Sequence, residues 1–384
     1  MIIDGERSLA YIVMIDELKP LPGYDRVQYA RTNGWWVVVP VNAYMKVGAK
    51  CVYFEIDSKL PETDERFAFM KKYKYRVRTQ RMCHVVSQGL LMSVSEDFPE
   101  LEEFSVGEDV TNLLNVTYYV PSDNERKAKS PIRQGIPKAK SVLFKIPIFN
   151  KIRIAYWNKK LDKAAEFAVF PDFVDKTDEE RCENIPDIVD DKGKWIATEK
   201  LDGTSATYAM KRLSKKRREF YVCSRNIRLK EDGSVYWAIA KEEEIYFYLN
   251  RYLEDHKECD WVAIQGEIIG PGIQGNWYGL EHPRIYVFNF IDSENGRWPS
   301  QIAYHVVRNF GMNFVPIIGM SGLPHTMEEL KKAADGQSVI ADKMREGIVY
   351  RSWDGKRSFK NVSNKYLERK TKREDDGSRQ GQKH

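Results

Sequence analysis

Lys200 lies in the string Thr198-Glu-Lys-Leu-Asp-Gly-Thr-Ser-Ala-Thr207, and its Lys-x-Asp-Gly core is the sharpest short motif in the chain. A lysine amine can act as a covalent nucleophile once it is neutral, but an ordinary lysine titrates near pH 10.4 and stays protonated at pH 7. Alone, the motif equally fits a lysine beside a β-turn, because Asp-Gly suits a tight bend. Downstream follow, in order, Ser224-Arg-Asn226, Gly266-Glu-Ile-Ile-Gly270, Tyr286-Val-Phe-Asn-Phe290, Glu346-Gly-Ile-Val-Tyr350 and Phe359-Lys-Asn-Val-Ser-Asn-Lys365. They contribute two acids, Glu267 and Glu346, two aromatics at period-2 spacing, Phe288 and Phe290, and the cations Arg225, Lys360 and Lys365. Taken singly, each has a bland reading: an edge-strand glutamate, a core phenylalanine, a solvent-facing lysine. Gly270-Pro-Gly-Ile-Gln-Gly-Asn276 lacks both the Gly-x-Gly-x-x-Gly and the Walker spacing, which excludes a Rossmann or P-loop nucleotide site. The five cysteines form no Cys-x-x-Cys pair and no zinc-like spacing with the six histidines.

The ordered series resembles the covalent nucleotidyltransferase superfamily of ATP-dependent ligases and capping enzymes. Phe170-Pro-Asp-Phe173, the run Lys176-Thr-Asp-Glu-Glu-Arg181 and the Gly270–Asn276 loop are most similar to RNA ligases. In particular they resemble the fifth branch, in which an OB domain precedes the catalytic domain. The motif resemblance covers about residues 168–367, and the segment in front is similar by architecture only. It implies that Lys200 attacks the α-phosphorus of ATP and carries AMP. It further implies that Glu267, Glu346 and Asp202 hold Mg²⁺ or Mn²⁺ through water, and that Lys360 contacts the α-phosphate. Glu199 would read the adenine amino group, Phe288 would stack on the base with Phe290 as runner-up, and Gly203 would line the nucleotide. Arg225 would meet the ribose or the nucleic-acid end, and Lys365 a second phosphate. The implied substrate is RNA with 3′-hydroxyl and 5′-phosphate ends, and a nicked duplex, a broken tRNA loop and two single strands all stay open. A DNA ligase and a catalytically inactive nucleic-acid-binding relative are the alternatives. Those ligases that end in a C-terminal OB domain need far more chain than the nineteen residues after Lys365.

These residues need a scaffold. A chain of 384 residues with 42% hydrophobic residues suits two packed domains. Residues 8–120 read as short strands between turns, an OB-type or other small β-barrel, with a hairpin at Asn33-Gly34 between Val27–Arg31 and Trp35–Val39. Further strands are expected at Cys51–Ile56, Gly89–Val94 and Val116–Val120. The fold class is α+β: an OB-like nucleic-acid-binding domain over 1–120, a basic linker and connecting helix over 121–165, an antiparallel-sheet adenylation domain over 166–367, and a disordered charged tail over 368–384. Strands are expected at Ile196–Glu199, Thr204–Met210, Glu219–Ser224, Val262–Ile269, Arg284–Ile291, Gly347–Arg351 and Arg357–Asn361, and helices at Val235–Leu253, Gln301–Phe310 and Met327–Ala334. The net charge of +5 is compatible with nucleic acid, and Lys211, Arg212, Lys215, Lys216, Arg217 and Arg218 cluster at what reads as a hairpin tip. With neither a leader nor a membrane-length apolar run in the sequence, a cytoplasmic location is expected; a monomer is the separate expectation. The barrel is expected to clamp substrate, since every group implicated in AMP transfer lies beyond residue 195.

Overall fold

The computed structural model describes residues 2–3, 6–119, 169–215 and 217–371. The linker and helix expected over 121–165, Lys216 and the tail beyond 371 lie outside the described residues. The rest forms two compact units: one joins the residues before 120 to Asp178–Leu201 and the stretch from Pro316 onward, and the other joins 169–177 to Asp202–Val315.

In the first unit, β1 (Ala10–Met14), β2 (Glu17–Leu21), β3 (Tyr24–Thr32), β4 (Trp35–Pro40), β5 (Lys50–Phe54) and β6 (Leu90–Ser93) form two antiparallel sheets, ordered β2-β3-β4 and β6-β5-β1. Four of the five expected strands appear as β3–β6, β1 and β2 join them, and the one expected at Val116–Val120 is a two-residue pairing of Thr117–Tyr118 with Ser58–Lys59. The chain switches sheets at Ile15-Asp16: Ile15 N–H donates to Ala49 O and Asp16 N–H to Arg31 O of β3. Successive side chains of a strand face opposite ways. In β1 and β5 both faces are covered: Ala10, Ile12, Val52 and Phe54 pack with Phe67 and Phe98, while Tyr11, Val13, Cys51 and Tyr53 pack with Trp35, Val37 and Val39. That explains their unbroken apolar runs. β4 alternates cleanly, with Trp35, Val37 and Val39 inward. The Asn33-Gly34 hairpin forms as read, with Thr32 paired to Trp35 and Asn33 in the left-handed region at φ 50°.

The same unit holds a four-stranded antiparallel sheet, ordered β12-β7-β13-β14. Its members are β7 (Trp195–Lys200), β12 (Ile317–Ser321), β13 (Gly347–Ser352) and β14 (Ser358–Val362). Helix α4 (Met327–Ala333) is capped by Thr326, whose hydroxyl accepts from Glu329 N–H, and buries Leu330 with Trp195, Tyr350 and Phe359. A final helix runs over 364–371, and Glu368 pairs with Arg81 of the barrel at 2.9 Å. Residues 368–371, expected in the disordered tail, are therefore ordered, because tertiary contact outweighs a charged composition.

The second unit is built on β8 (Thr204–Arg212), β9 (Arg218–Cys223), β10 (Trp261–Ile269) and β11 (Arg284–Asp292), in antiparallel order β9-β8-β10-β11. Among the described residues three helices belong to it: α1 (Val235–Glu242), α2 (Ile245–Asp255) and α3 (Ser300–Asn309). The single helix expected at Val235–Leu253 is thus two, broken where Glu244 takes φ 49°. Ile239 is buried on α1 and Ile245 on α2. On one continuous helix they would point about 120° apart at 3.6 residues per turn. Restarting the helix buries both. Among the described residues, no helix is long and apolar enough to cross a membrane.

Candidate active site

Lys200 closes β7, paired with Gly347 at the start of β13. That register places Glu346 beside it, and Lys200 Nζ donates to Glu346 Oε2 at 2.8 Å. A Cβ on Gly347 would lie 2.2 Å from Asn361 O, so only glycine lets β14 approach this closely. Ser363 N–H donates to Glu346 O at 2.9 Å, fixing the backbone that presents the acid.

Lys360 sits on β14 opposite Val349, with its side chain buried and its Nζ 3.3 Å from Asp178 Oδ1. Burial pushes the amine down to about 8, with repulsion from Arg7, Arg181 and Lys200 adding and Asp178 opposing. The reading of Lys360 as a solvent-facing strand end is therefore excluded. Lys365 differs: 65% of its side chain is exposed, and it pairs with Asp335 at 2.9 Å.

Glu199 is buried one residue before Lys200. Its Oε2 accepts from Val339 N–H at 2.8 Å, whereas Oε1 has no partner among the described residues. Burial raises its pKa, opposed by Ser338, Val339 and Arg345. A buried acceptor without a donor fits the amino group of a bound base.

In the second unit, Asp202 is buried and its N–H donates to Tyr278 Oη at 2.9 Å. The glycine of the Lys-x-Asp-Gly motif is required by close approach: a Cβ on Gly203 would stand 2.3 Å from Ile268 O and 2.9 Å from Glu267 Cγ. Glu267, on the interior strand β10, pairs with Ser205 of β8 and is the only residue from Val262 to Ile269 that is not fully buried. It is not an edge-strand residue. Among the described residues no three acid, histidine or cysteine side chains gather closely enough to hold an ion directly.

The two aromatics of β11 separate. The register slips opposite Gln265-Gly266, leaving Phe288 half-buried. Phe290 is fully buried among Tyr252, Trp298 and Phe310, which removes it as a stacking candidate. The bulge breaks the period-2 spacing that had put both on one face. Arg225 is half-buried in a turn closed by Ser224 N–H to Ile227 O.

The basic cluster is a hairpin tip, with Arg212 paired to Arg218. Its members have different partners. Arg212 donates to the carbonyls of Leu253, His256 and Cys259, Arg218 reaches Asn250 and Glu254, and Lys211 stands 4.5 Å over the Phe173 ring. Lys215 and Arg217 are exposed.

Asp178, Arg181 and Arg7 around Lys360, and Tyr278 beside Asp202, were not singled out from sequence. The run Lys176–Arg181 was the available signal for two of them.

Residues 193–367 match the family model described as RNA ligase, and residues 9–94 match one described as an OB-fold domain. Among solved structures, the chain is similar to those of Naegleria gruberi RNA ligase. A mutant with ATP and Mn is 29% identical with a TM-score of 0.74, covering 94% of this chain and 98% of that one. A mutant with AMP and Mn is 30% identical with a TM-score of 0.75 over the same shares. The form with PPi is also 30% identical, with a TM-score of 0.75 and the same coverage. No curated protein matches the chain.

Proposed function

The chain belongs to the RNA ligase family, and from that premise we propose that it is ATP-dependent and joins an RNA 5′-phosphate end to a 3′-hydroxyl end through AMP carried on Lys200. The Naegleria gruberi structures with ATP, AMP, Mn and PPi support this nucleotide chemistry. The observation that carries it is the Lys200 Nζ–Glu346 Oε2 contact of 2.8 Å at the end of β7. It anchors the amine where a nucleophile is wanted, and loss of its proton frees the nitrogen lone pair for attack.

In the first step the Lys200 nitrogen bonds to the α-phosphorus and the bond to the bridging oxygen breaks, releasing pyrophosphate. AMP then passes to the RNA 5′-phosphate, forming a phosphoanhydride and restoring the lysine. The 3′-hydroxyl attacks that 5′-phosphorus, sealing the strand and releasing AMP. Lys360 stabilises charge on the α-phosphate. Glu199 Oε1 accepts from the adenine amino group, Phe288 stacks on the base, and the backbone at Gly203 lies against the nucleotide. Arg225 meets the ribose or the RNA end. Lys215, Lys216, Arg217 and Arg218 face RNA phosphates without reading sequence. Lys365 would reach a phosphate only by leaving Asp335. Glu346, Glu267 and Asp202 are acids suited to hold metal-bound water. Mg²⁺ or Mn²⁺, when bound, neutralises charge on the phosphate in transfer and disfavours a proton on the lysine.

The test is incubation with ATP labelled at the α-phosphate and a divalent metal. The wild type should become labelled, and Lys200→Ala should not. Lys200→Arg should fail as well, because guanidinium keeps its proton. Label on folded Lys200→Ala would refute the assignment. Sealing of matched nicked and single-stranded substrates then defines the RNA.

A further inference from the structure

Asn184 follows the acidic run and belongs to neither the nucleophile nor the phosphate contacts, yet its carboxamide is fully engaged. Its Oδ1 accepts from Trp35 Nε1 at 2.6 Å and from Tyr11 Oη at 3.1 Å, and its Nδ2 donates to Glu55 Oε1 at 3.0 Å and to Glu180 Oε1 at 2.7 Å. Three of these partners, Tyr11, Trp35 and Glu55, are buried residues of the barrel. Against burial, which pushes it up, Arg7 holds Glu55 down at about 2, so Asn184 meets a carboxylate. Next to this contact Gly34 N–H donates to Glu183 O at 2.8 Å, and a Cβ on Gly34 would lie 2.7 Å from Glu183 Cα.

The fourth partner leads to the chemistry. Lys360 N–H donates to Glu180 O at 2.7 Å, Arg181 bridges to Lys360 in a parallel pairing, and Asp178 receives the Lys360 ammonium. The segment that Asn184 ties to the barrel is therefore the segment that holds Lys360 in place, from its backbone and from its side chain.

We propose that Asn184 is a positioning residue: by bridging Tyr11, Trp35 and Glu55 to Glu180 it makes the docked barrel part of the apparatus that places Lys360 for AMP transfer. This rests on the ligase reading above. It gives the barrel a share in the first chemical step, in addition to any hold on RNA. An amide is required because two acceptors and two donors must be met at once. A carboxylate at this position would face Glu55 and Glu180 with like charge and withdraw the amide donor that Glu55 receives besides Arg7 and Glu180 receives besides the Arg181 N–H.

The experiment is single-turnover self-adenylylation of the full chain, with the active fraction fixed by the pyrophosphate burst, for wild type, Asn184→Asp and the double variant that adds Glu180→Gln. Asn184→Asp should lower the maximal rate per active molecule by about tenfold or more, as expected for a misplaced catalytic group, with a smaller change in the ATP concentration giving half that rate. The amide introduced by Glu180→Gln can donate to the carboxylate introduced by Asn184→Asp, so the double variant should regain part of the rate, the repulsion from Glu55 remaining. Trp35→Phe removes a single donor and keeps the test open if Asn184→Asp does not fold; it should slow the step by about fivefold, the worth of one hydrogen bond. A wild-type rate in Asn184→Asp or Trp35→Phe overturns the proposal. So does a loss that the second substitution fails to restore while both variants unfold alike. A wild-type chain that never becomes labelled overturns the ligase reading itself.

Discussion

Replacing Lys360 by methionine should separate catalysis from stability. The ammonium is buried, and burial lowers its pKa from 10.5 to about 8. At about 1.4 kcal/mol per pH unit, keeping that charge in the fold at neutral pH is a penalty on the order of 3 kcal/mol. The sign follows from proton counting. Below about 8 the amine is charged in both folded and unfolded chains, and the penalty applies in full. Between about 8 and 10.5 the unfolded chain holds the proton and the folded one does not, so wild-type stability rises with pH across that window. Methionine has similar length and no charge, and loses the 3.3 Å contact to Asp178, which offsets part of the gain. Lys360→Met should therefore be at least as stable as wild type at pH 7, and that advantage should shrink as pH rises from 8 to 10. It should lose most of its self-adenylylation throughout. Urea unfolding of both proteins at several pH values, alongside the labelling assay, measures this. A variant destabilised at pH 7 by more than about 1 kcal/mol, with a gap to wild type that does not change with pH, would refute the burial argument.

Gly203→Ala forces a Cβ to 2.3 Å from Ile268 O; we expect a loss of about 1–3 kcal/mol in thermal unfolding, and an unchanged melting temperature would mean that β8 and β10 can separate freely. Glu267→Ala and Glu346→Ala should each cut self-adenylylation by about a hundredfold or more, the scale of losing an electrostatic contact in the transition state. Asp97→Ala and Asp109→Ala remove backbone contacts to Ser93 and Thr111 in the barrel; per folded molecule they should label at nearly the wild-type rate, and equal loss in all four would point to folding.

Much of the candidate site was legible because the strings that propose it follow one another in order along the chain. Lys200, Glu346 and Lys360 are named by three separate strings, and strand register brings the first two to 2.8 Å. The Asn33-Gly34 hairpin was readable because a tight turn demands particular residues over a short span. What escaped was tertiary. Period-2 counting put Phe288 and Phe290 on one face, but a bulge opposite Gln265-Gly266 separates them. The break at Glu244 depends on where two apolar stripes meet the sheet, which no local propensity records. The expected division left AMP transfer wholly to residues beyond 195, whereas the barrel, the strand ending in Lys200 and the strand bearing Lys360 share one compact unit. No local pattern marks Asn184 in the sequence; its four partners lie as far as 173 positions away, at Tyr11.

That separation bears on how the protein is made. Trp35 must wait for Asn184, 149 residues later, Lys200 must wait for Glu346, 146 residues later, and Arg81 for Glu368, 287 residues later. Loop closure over such spans makes the first unit slow to complete, and during synthesis its barrel emerges long before the strands that finish the sheet. A chain still on the ribosome therefore exposes the docking edge of its barrel and holds Lys200 without Glu346. The proposed site is complete only when β13 and β14 arrive.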